Sequence, residues 1–351
     1  MQCFSLCCIP LVAMAPAHAD HQLRLSFLVV VAGAAASALL LASPADAALP
    51  RVEHAPTKAD GSLAILAVGD WGRRGQFNQT LVAQQMGVAG EKLDIDFVIS
   101  TGDNIYDDGI ANTSDPLFKE SFSNIYTAKS LQKPWYLVLG NHDYTGNALA
   151  QLDPAIRKVD SRYTVIAKSF IVNSGIADFF LIDTTPFILH YWNNSKFDWR
   201  GVAPRDTYIA NLLNDLKYGL TTSKAAWKIV VGHHPISSAC GHGNNTELKE
   251  ILLPVLQTHG VDMYVNGHDH CLQRVSSRDS PLQLLTSGGG SRAWAGKFKT
   301  TPDKVEFLYD GQGFMSMRLS KTEAHLAFFD VAGSVLHCWS LAKTTATAAG
   351  P

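Results

Sequence analysis

The sequence predicts a single α/β domain in which buried strands alternate with amphipathic helices. Unbroken apolar runs at 63–68, 97–100, 136–139, 179–182, 229–231, 263–265 and 282–285 are short and rich in β-branched or aromatic residues. Strands covered on both faces read this way. Apolar residues at helical spacing occur at 77–85 (Phe77, Leu81, Val82), at 209–218 (Ile209, Leu212, Leu213, Leu216) and after Thr246 (Leu248, Ile251, Leu252, Val255, Leu256). Near the end, 314–319, 324–329 and 335–339 are separated by turns at 320–321 and 332–333, which predicts an antiparallel meander. No repeat or linker interrupts the chain after Gly61. The domain is therefore expected over 61–340, with a flexible tail at 341–351.

Composition agrees with this fold class. The 351 residues are 46% hydrophobic and 17% charged, enough to bury a sizeable core and too apolar for wholesale disorder. Lys and Arg number 29 against 31 Asp and Glu, for a net charge of −2. That balance gives no basis for a nucleic-acid partner.

The first 47 residues read as a leader. Arg24 precedes the uncharged apolar run 27–41, and Ala45-Asp46-Ala47 comes next as a small-x-small cleavage site. The run is too short and too diluted with Ala and Gly for a good membrane anchor. A second apolar run at 1–13 carries Cys3, Cys7 and Cys8, and Met14 is an alternative start. Cleavage would leave Cys240, Cys271 and Cys338, of which at most one pair could form, with one thiol left over. The sequons at Asn78, Asn112, Asn193 and Asn244 are glycan acceptors if the chain enters the secretory pathway. Asn244 is expected to stay bare, because Asn245 or Thr246 should cap the helix carrying Leu248 and Ile251.

The functional signal lies at the strand ends. Five apolar runs end in Gly69-Asp70-Trp71-Gly72, Gly102-Asp103-Asn104-Ile105-Tyr106, Gly140-Asn141-His142-Asp143, Gly232-His233-His234-Pro235 and Gly267-His268-Asp269-His270. Ligand sites of α/β sheets lie at the C-terminal ends of strands, so the five loops deliver carboxylate, phenol, amide and imidazole groups to one rim. These donors suit hard-to-borderline metals, and the absence of thiolate among them excludes zinc-finger and iron–sulfur chemistry. They are too many for one ion, and two ions about 3.5–4 Å apart sharing a carboxylate fit a hydrolytic centre. Arg73, Arg74 and Lys92 read as solvated charge.

This set of motifs resembles the metallophosphoesterase superfamily. Tyr106 and the paired His268 and His270 narrow the resemblance to the purple acid phosphatases. The short chain is similar to the low-molecular-weight plant type and to the tartrate-resistant acid phosphatases. The resemblance implies two mixed β-sheets packed as a sandwich and flanked by helices. It implies Fe(III) on Asp70, Tyr106 and His270. A second ion, Fe(II), Zn(II) or Mn(II), would sit on Asn141, His233 and His268, with Asp103 bridging. Charge agrees, since the anionic donors gather mostly at the first position, where the harder trivalent ion belongs. His142 and His242 are implied as acids near the leaving group and the phosphate. Ile105 stands where the family more often has Phe, and is tolerated if the position packs. Arg274 is a departure that bears on substrate preference.

The resulting expectation is an acid phosphatase acting on phosphate monoesters through a hydroxide activated by the metals. Rival readings are phosphodiester or nucleotide hydrolysis, iron-dependent generation of reactive oxygen, and a non-catalytic phosphate-binding protein. The protein is expected to be a secreted, cell-wall or vacuolar glycoprotein, monomeric and without stable membrane association after cleavage.

Overall fold

The computed structural model describes residues 48–343; the expected leader at 1–47 and the residues from 344 onward lie outside the described residues. The strands begin with β1 (Arg51–Glu53), β2 (Leu63–Val68), β3 (Phe97–Ser100), β4 (Trp135–Leu137), β5 (Tyr163–Thr164), β6 (Phe170–Asn173) and β7 (Ala177–Leu181). They continue with β8 (Trp227–Val231), β9 (Met263–Asn266), β10 (Leu272–Ser276), β11 (Gln283–Ser287), β12 (Lys304–Tyr309), β13 (Gly313–Leu319), β14 (Glu323–Asp330) and β15 (Val335–Ala342).

Two mixed sheets result. One has the order β15-β14-β13-β2-β3-β4-β5, the other β1-β6-β7-β8-β9-β11-β10-β12. The meander β13 to β15 is antiparallel, while β2, β3 and β4 are parallel neighbours, as are β7, β8 and β9. Two boundaries shift from expectation. The fold starts ahead of residue 61, because β1 pairs with β6. It also extends into the expected tail, because Leu341 and Ala342 pair with Ala324 and Glu323.

The unbroken apolar runs have a simple cause: both faces of each central strand are buried. Ile65 and Ala67 of β2 join Ile99, Leu181, Ile229, Val265 and Met317 in the core between the sheets. Their neighbours Leu66 and Val68 lie on the other face, in a cluster with Val82 and Met86. Those two belong to α1 (Gln79–Leu93). On the second sheet, Phe180 and Val230 pack with Leu212 and Leu216 of a long helix at Arg205–Thr222. α1 begins two residues later than the spacing suggested. Phe77 and Asn78 have φ of 51° and 65°, which a right-handed helix cannot contain, and Phe77 and Leu81 are exposed.

Asp96 ties the start of β2 to the segment before it. Its buried carboxylate accepts from Ala64 N at 2.8 Å, Lys58 Nζ at 2.7 Å and Thr57 Oγ1 at 2.9 Å. Burial works to raise its pKa, but these donors outweigh it and hold the group below the ordinary carboxylate value. A depressed folded-state pKa stabilises the fold above the unfolded value, and that stability is lost as pH falls through the folded one. Asp96→Asn should cost about 1.5–3 kcal/mol at neutral pH. In thermal melts the deficit should shrink below about pH 4, and a deficit independent of pH would contradict the ionised state of Asp96.

Candidate metal centre

The five glycine turns come after β2, β3, β4, β8 and β9, so three belong to one sheet and two to the other. Their backbones lie nearly in contact. A Cβ on Gly140 would stand 2.2 Å from Asp103 Oδ1, and one on Gly267 would stand 2.4 Å from Asp70 Oδ2. The turns also force left-handed backbone on residues that seldom adopt it: Asp70 at φ 61°, Asp103 at 49° and His268 at 67°. Each such residue costs on the order of 1–3 kcal/mol, a strain typical of functional sites.

These loops bring together the seven residues expected to hold metal. Tyr106 Oη lies 3.0 Å from Asp70 Oδ1, 2.9 Å from Asp103 Oδ2 and 3.1 Å from His270 Nε2. His233 Nε2 lies 3.2 Å from Asn141 Oδ1 and 3.4 Å from Asp103 Oδ2. The same Asp103 oxygen therefore touches both halves of the cluster. The His268 ring centre is 5.1 Å from that of His233.

The donor set fits cations. Asp70, Asp103 and Tyr106 are buried, and the two carboxylates meet no Lys or Arg side chain among the described residues. One phenol proton cannot serve two carboxylates and an imidazole nitrogen at once, so the cluster has more acceptors than donors. Burial, then the charges of Asp103 and Asp70, push the Tyr106 pKa well up. Burial works to raise Asp103, but His233 and His142 outweigh it and hold the carboxyl well below its usual range. Burial works to lower His233, but Asp103 lifts it to about 9. Buried anions of this kind need a compensating cation.

The two expected acids lie on the same cleft of about 420 Å³. His142 sits against the Tyr106 ring, 4.5 Å between centres, with Nδ1 bonded to the Asp107 carbonyl. The His242 ring stacks on His268 at 3.9 Å and meets the edge of Trp294. Cys240 and Cys271 form a disulfide that ties the His242 loop to the end of the His268–His270 loop. Cys338 is not a free thiol either, contrary to the expected leftover. Asn245 caps its helix as expected, accepting from Leu248 N at 2.9 Å.

Other residues shape the site without being evident in the sequence. Asp143, fully buried, accepts from Gly140 N at 2.8 Å, Asn104 N at 3.1 Å and Gln151 Nε2 at 2.8 Å, which locks the Asp103 loop to the Asn141 loop. Asp269 does the same for His242, accepting from its N–H at 2.6 Å and from the Ser238 hydroxyl. The motif spacing contained both residues, but their role depends on partners distant in sequence. Arg73 is the main correction. It is not solvated charge: its side chain is 11% exposed and lies 3.6 Å over the Tyr106 ring. Ile105 is fully buried in the core under α1, as tolerated substitution required. Arg274 lies against Trp339 and Gln283 and lines no part of the cleft.

The calcineurin-like phosphoesterase family model matches residues 63–272, the stretch that supplies all five turns. Purple acid phosphatase 4 of Arabidopsis thaliana is 54% identical over 87% of this chain and 91% of its own length. The chain belongs to the purple acid phosphatases. Human tartrate-resistant acid phosphatase type 5 is 29% identical over 85% of this chain and 93% of its own. Among solved structures, GAP50, the anchor in the inner membrane complex of Plasmodium, superposes with a TM-score of 0.69 at 26% identity, covering 82% of this chain and 90% of that one. This purple acid phosphatase is accordingly an acid phosphatase, and its two mixed sheets with flanking helices are the metallophosphoesterase fold.

Asp143 provides the test of the supporting network. Burial, then the charge of Asp103, push its pKa up to about 6. Asp143→Ala should leave the Gly140 and Asn104 N–H groups and the Gln151 amide without this acceptor and loosen both Asp103 and Asn141. Metal affinity and kcat should each fall by about 10–100-fold, the size usual for groups that orient ligands. Elemental analysis and steady-state assays check this, and full metal content with full activity would refute it.

Proposed function

We propose that the enzyme hydrolyses phosphate monoesters at a centre of Fe(III) and one divalent ion. Asp70, Tyr106 and His270 would hold Fe(III). Asn141, His233 and His268 would hold Fe(II), Zn(II) or Mn(II), and Asp103 would bridge the two. The observation that most supports this reading is the single Asp103 oxygen within 2.9 Å of Tyr106 Oη and 3.4 Å of His233 Nε2. Bound there, the ions would activate water and polarise the phosphoryl group.

The protein's own groups orient the donors and move the proton. His233 Nδ1 faces the Thr101 carbonyl at 2.9 Å and His270 Nδ1 faces the Arg292 carbonyl at 2.6 Å. With each Nδ1–H donated outward, Nε2 is the ring atom that would hold the ion. His142 is anchored through Nδ1 to the Asp107 carbonyl. Its Nε2 would give the proton to the leaving oxygen. Burial, then the charge of His270, push His242 down to about 4, so this ring is neutral over most of the pH range and serves as a hydrogen-bond donor to phosphate. An acid that must keep its proton favours hydrolysis at acid pH.

The expected leader at 1–47, the disulfide and the exposed sequons at Asn78, Asn112 and Asn193 support a secreted or vacuolar glycoprotein. No helix among the described residues is long and apolar enough to cross a membrane. Peroxide chemistry at the same centre is the rival reading and requires iron in the divalent position. An anchoring role like that in the name of GAP50 has less support, because every expected donor is present here.

Two outcomes test these roles. His142→Ala should lower kcat by ~10²–10⁴ on an alkyl phosphate, with both metals retained. The loss should be much smaller on p-nitrophenyl phosphate, whose leaving group needs no proton. Equal losses on both esters, or loss of metal, would contradict the assignment. Tyr106→Phe should abolish an intense visible absorption of the purple wild-type protein while much of the hydrolysis survives. Colour that persists in Tyr106→Phe would remove Tyr106 from the iron site.

A further inference from the structure

The two sides of the cleft differ in charge. One side is lined by His190 and Tyr191, which carry no fixed charge, and the other by Arg73 and Arg292 with the single carboxylate of Asp107. The two arginines come from different parts of the chain, Arg73 from the turn after β2 and Arg292 from the loop after β11. They meet on one side chain: their guanidinium carbons lie 5.6 Å and 5.5 Å from the centre of the Phe77 ring. Phe77 is 48% exposed and is held at φ 51°, a left-handed conformation that bulky residues seldom adopt. An exposed aromatic in strained backbone that braces two cations calls for a functional reason.

Neither arginine is paired with a buried carboxylate. Arg73 bonds Asp107 at 2.8 Å, but that carboxylate is 77% exposed, and Arg73 Nε is buried without a hydrogen-bond partner. Arg292 is exposed and meets no carboxylate within ion-pair distance among the described residues, while its carbonyl receives His270. Two guanidinium groups that share one aromatic ring set two positive charges against the single exposed carboxylate of Asp107, a surplus that favours a bound anion. Guanidinium is also the side chain best suited to bind phosphate or carboxylate through paired N–H groups.

We propose that Arg73, Arg292 and Phe77 form an anion subsite on the Tyr106 side of the cleft, selecting phosphate monoesters that carry a second anionic group near the scissile phosphate. Arg73 holds the inner edge, stacked on Tyr106, and Arg292 holds the mouth. A second phosphate or a carboxylate of the substrate bridges them, while the scissile phosphate occupies the centre beside His142 and His242. The proposal rests on the phosphatase reading of that centre.

The test is a ratio of kcat/KM between two alkyl esters, 2,3-bisphosphoglycerate and glycerol phosphate, measured on the metal-loaded enzyme. Wild type should prefer the first. Arg292→Gln should lower the ratio about 10-fold, and Arg73→Gln with Arg292→Gln about 10²-fold, the scale of two lost charge-assisted contacts. Phe77→Ala should lower it by a smaller factor, and Arg292→Lys should restore part of it. Inhibition gives a second readout: methylenebisphosphonate should lose affinity in step with the ratio, and inorganic phosphate should not. An unchanged ratio, or equal losses on both esters, would overturn the subsite while leaving the phosphatase in place. Failure of the wild type to hydrolyse either ester would instead overturn the phosphatase reading beneath it.

Discussion

The structure is organised around an excess of buried negative charge. Asp70 and Asp103 meet the Tyr106 phenol at the rim where two sheets converge, with no Lys or Arg to balance the carboxylates among the described residues. Such a cluster is unstable on electrostatic grounds unless cations fill it. The rest of the fold serves to hold it together. Glycine turns let the loops touch, left-handed aspartates aim the carboxylates inward, and Asp143 ties two of the loops by their N–H groups. The strain and the unpaired charge are concentrated in one arrangement, with one carboxylate oxygen shared by two sets of donors.

Much of this is legible in the sequence, for identifiable reasons. Central strands such as β2 and β3 are buried on both faces, so they read as continuous apolar runs whose bounds match the strands residue for residue. The two edge strands of the eight-stranded sheet are not legible. β1 is three residues long, and β12 carries charged residues on an exposed face, so neither has an apolar pattern to find. The start of α1 differs from expectation because nothing in the letters of Phe77 and Asn78 announces left-handed backbone. The disulfide cannot be chosen among three cysteines until the fold lays the Cys240 loop against Cys271.

The site obeys the same division. The seven donors sit beside glycines in turns after strands, and that local grammar is visible residue by residue. The residues that position them are not visible in this way. Asp143, Asp269 and Gln273 act on backbone or side chains far away in sequence, with Gln273 holding Ala239 N at 3.0 Å and the Ser238 hydroxyl at 2.7 Å. Arg73 reads as one of two exposed arginines until the fold lays Tyr106 beneath it. The motifs therefore point to a metal-dependent hydrolase, while the third dimension brings Arg73 and Arg292 to one side of the cleft.

The proposed function depends most on two ions sharing Asp103, with iron on the Tyr106 side. The direct measurement is a crystal structure of the purified protein with anomalous maps collected on both sides of the iron edge, together with elemental analysis of the same sample. Two metals per chain about 3.5–4 Å apart are expected, with the iron signal beside Tyr106 and His270. A single ion, or iron confined to the Asn141 and His233 side, would contradict it.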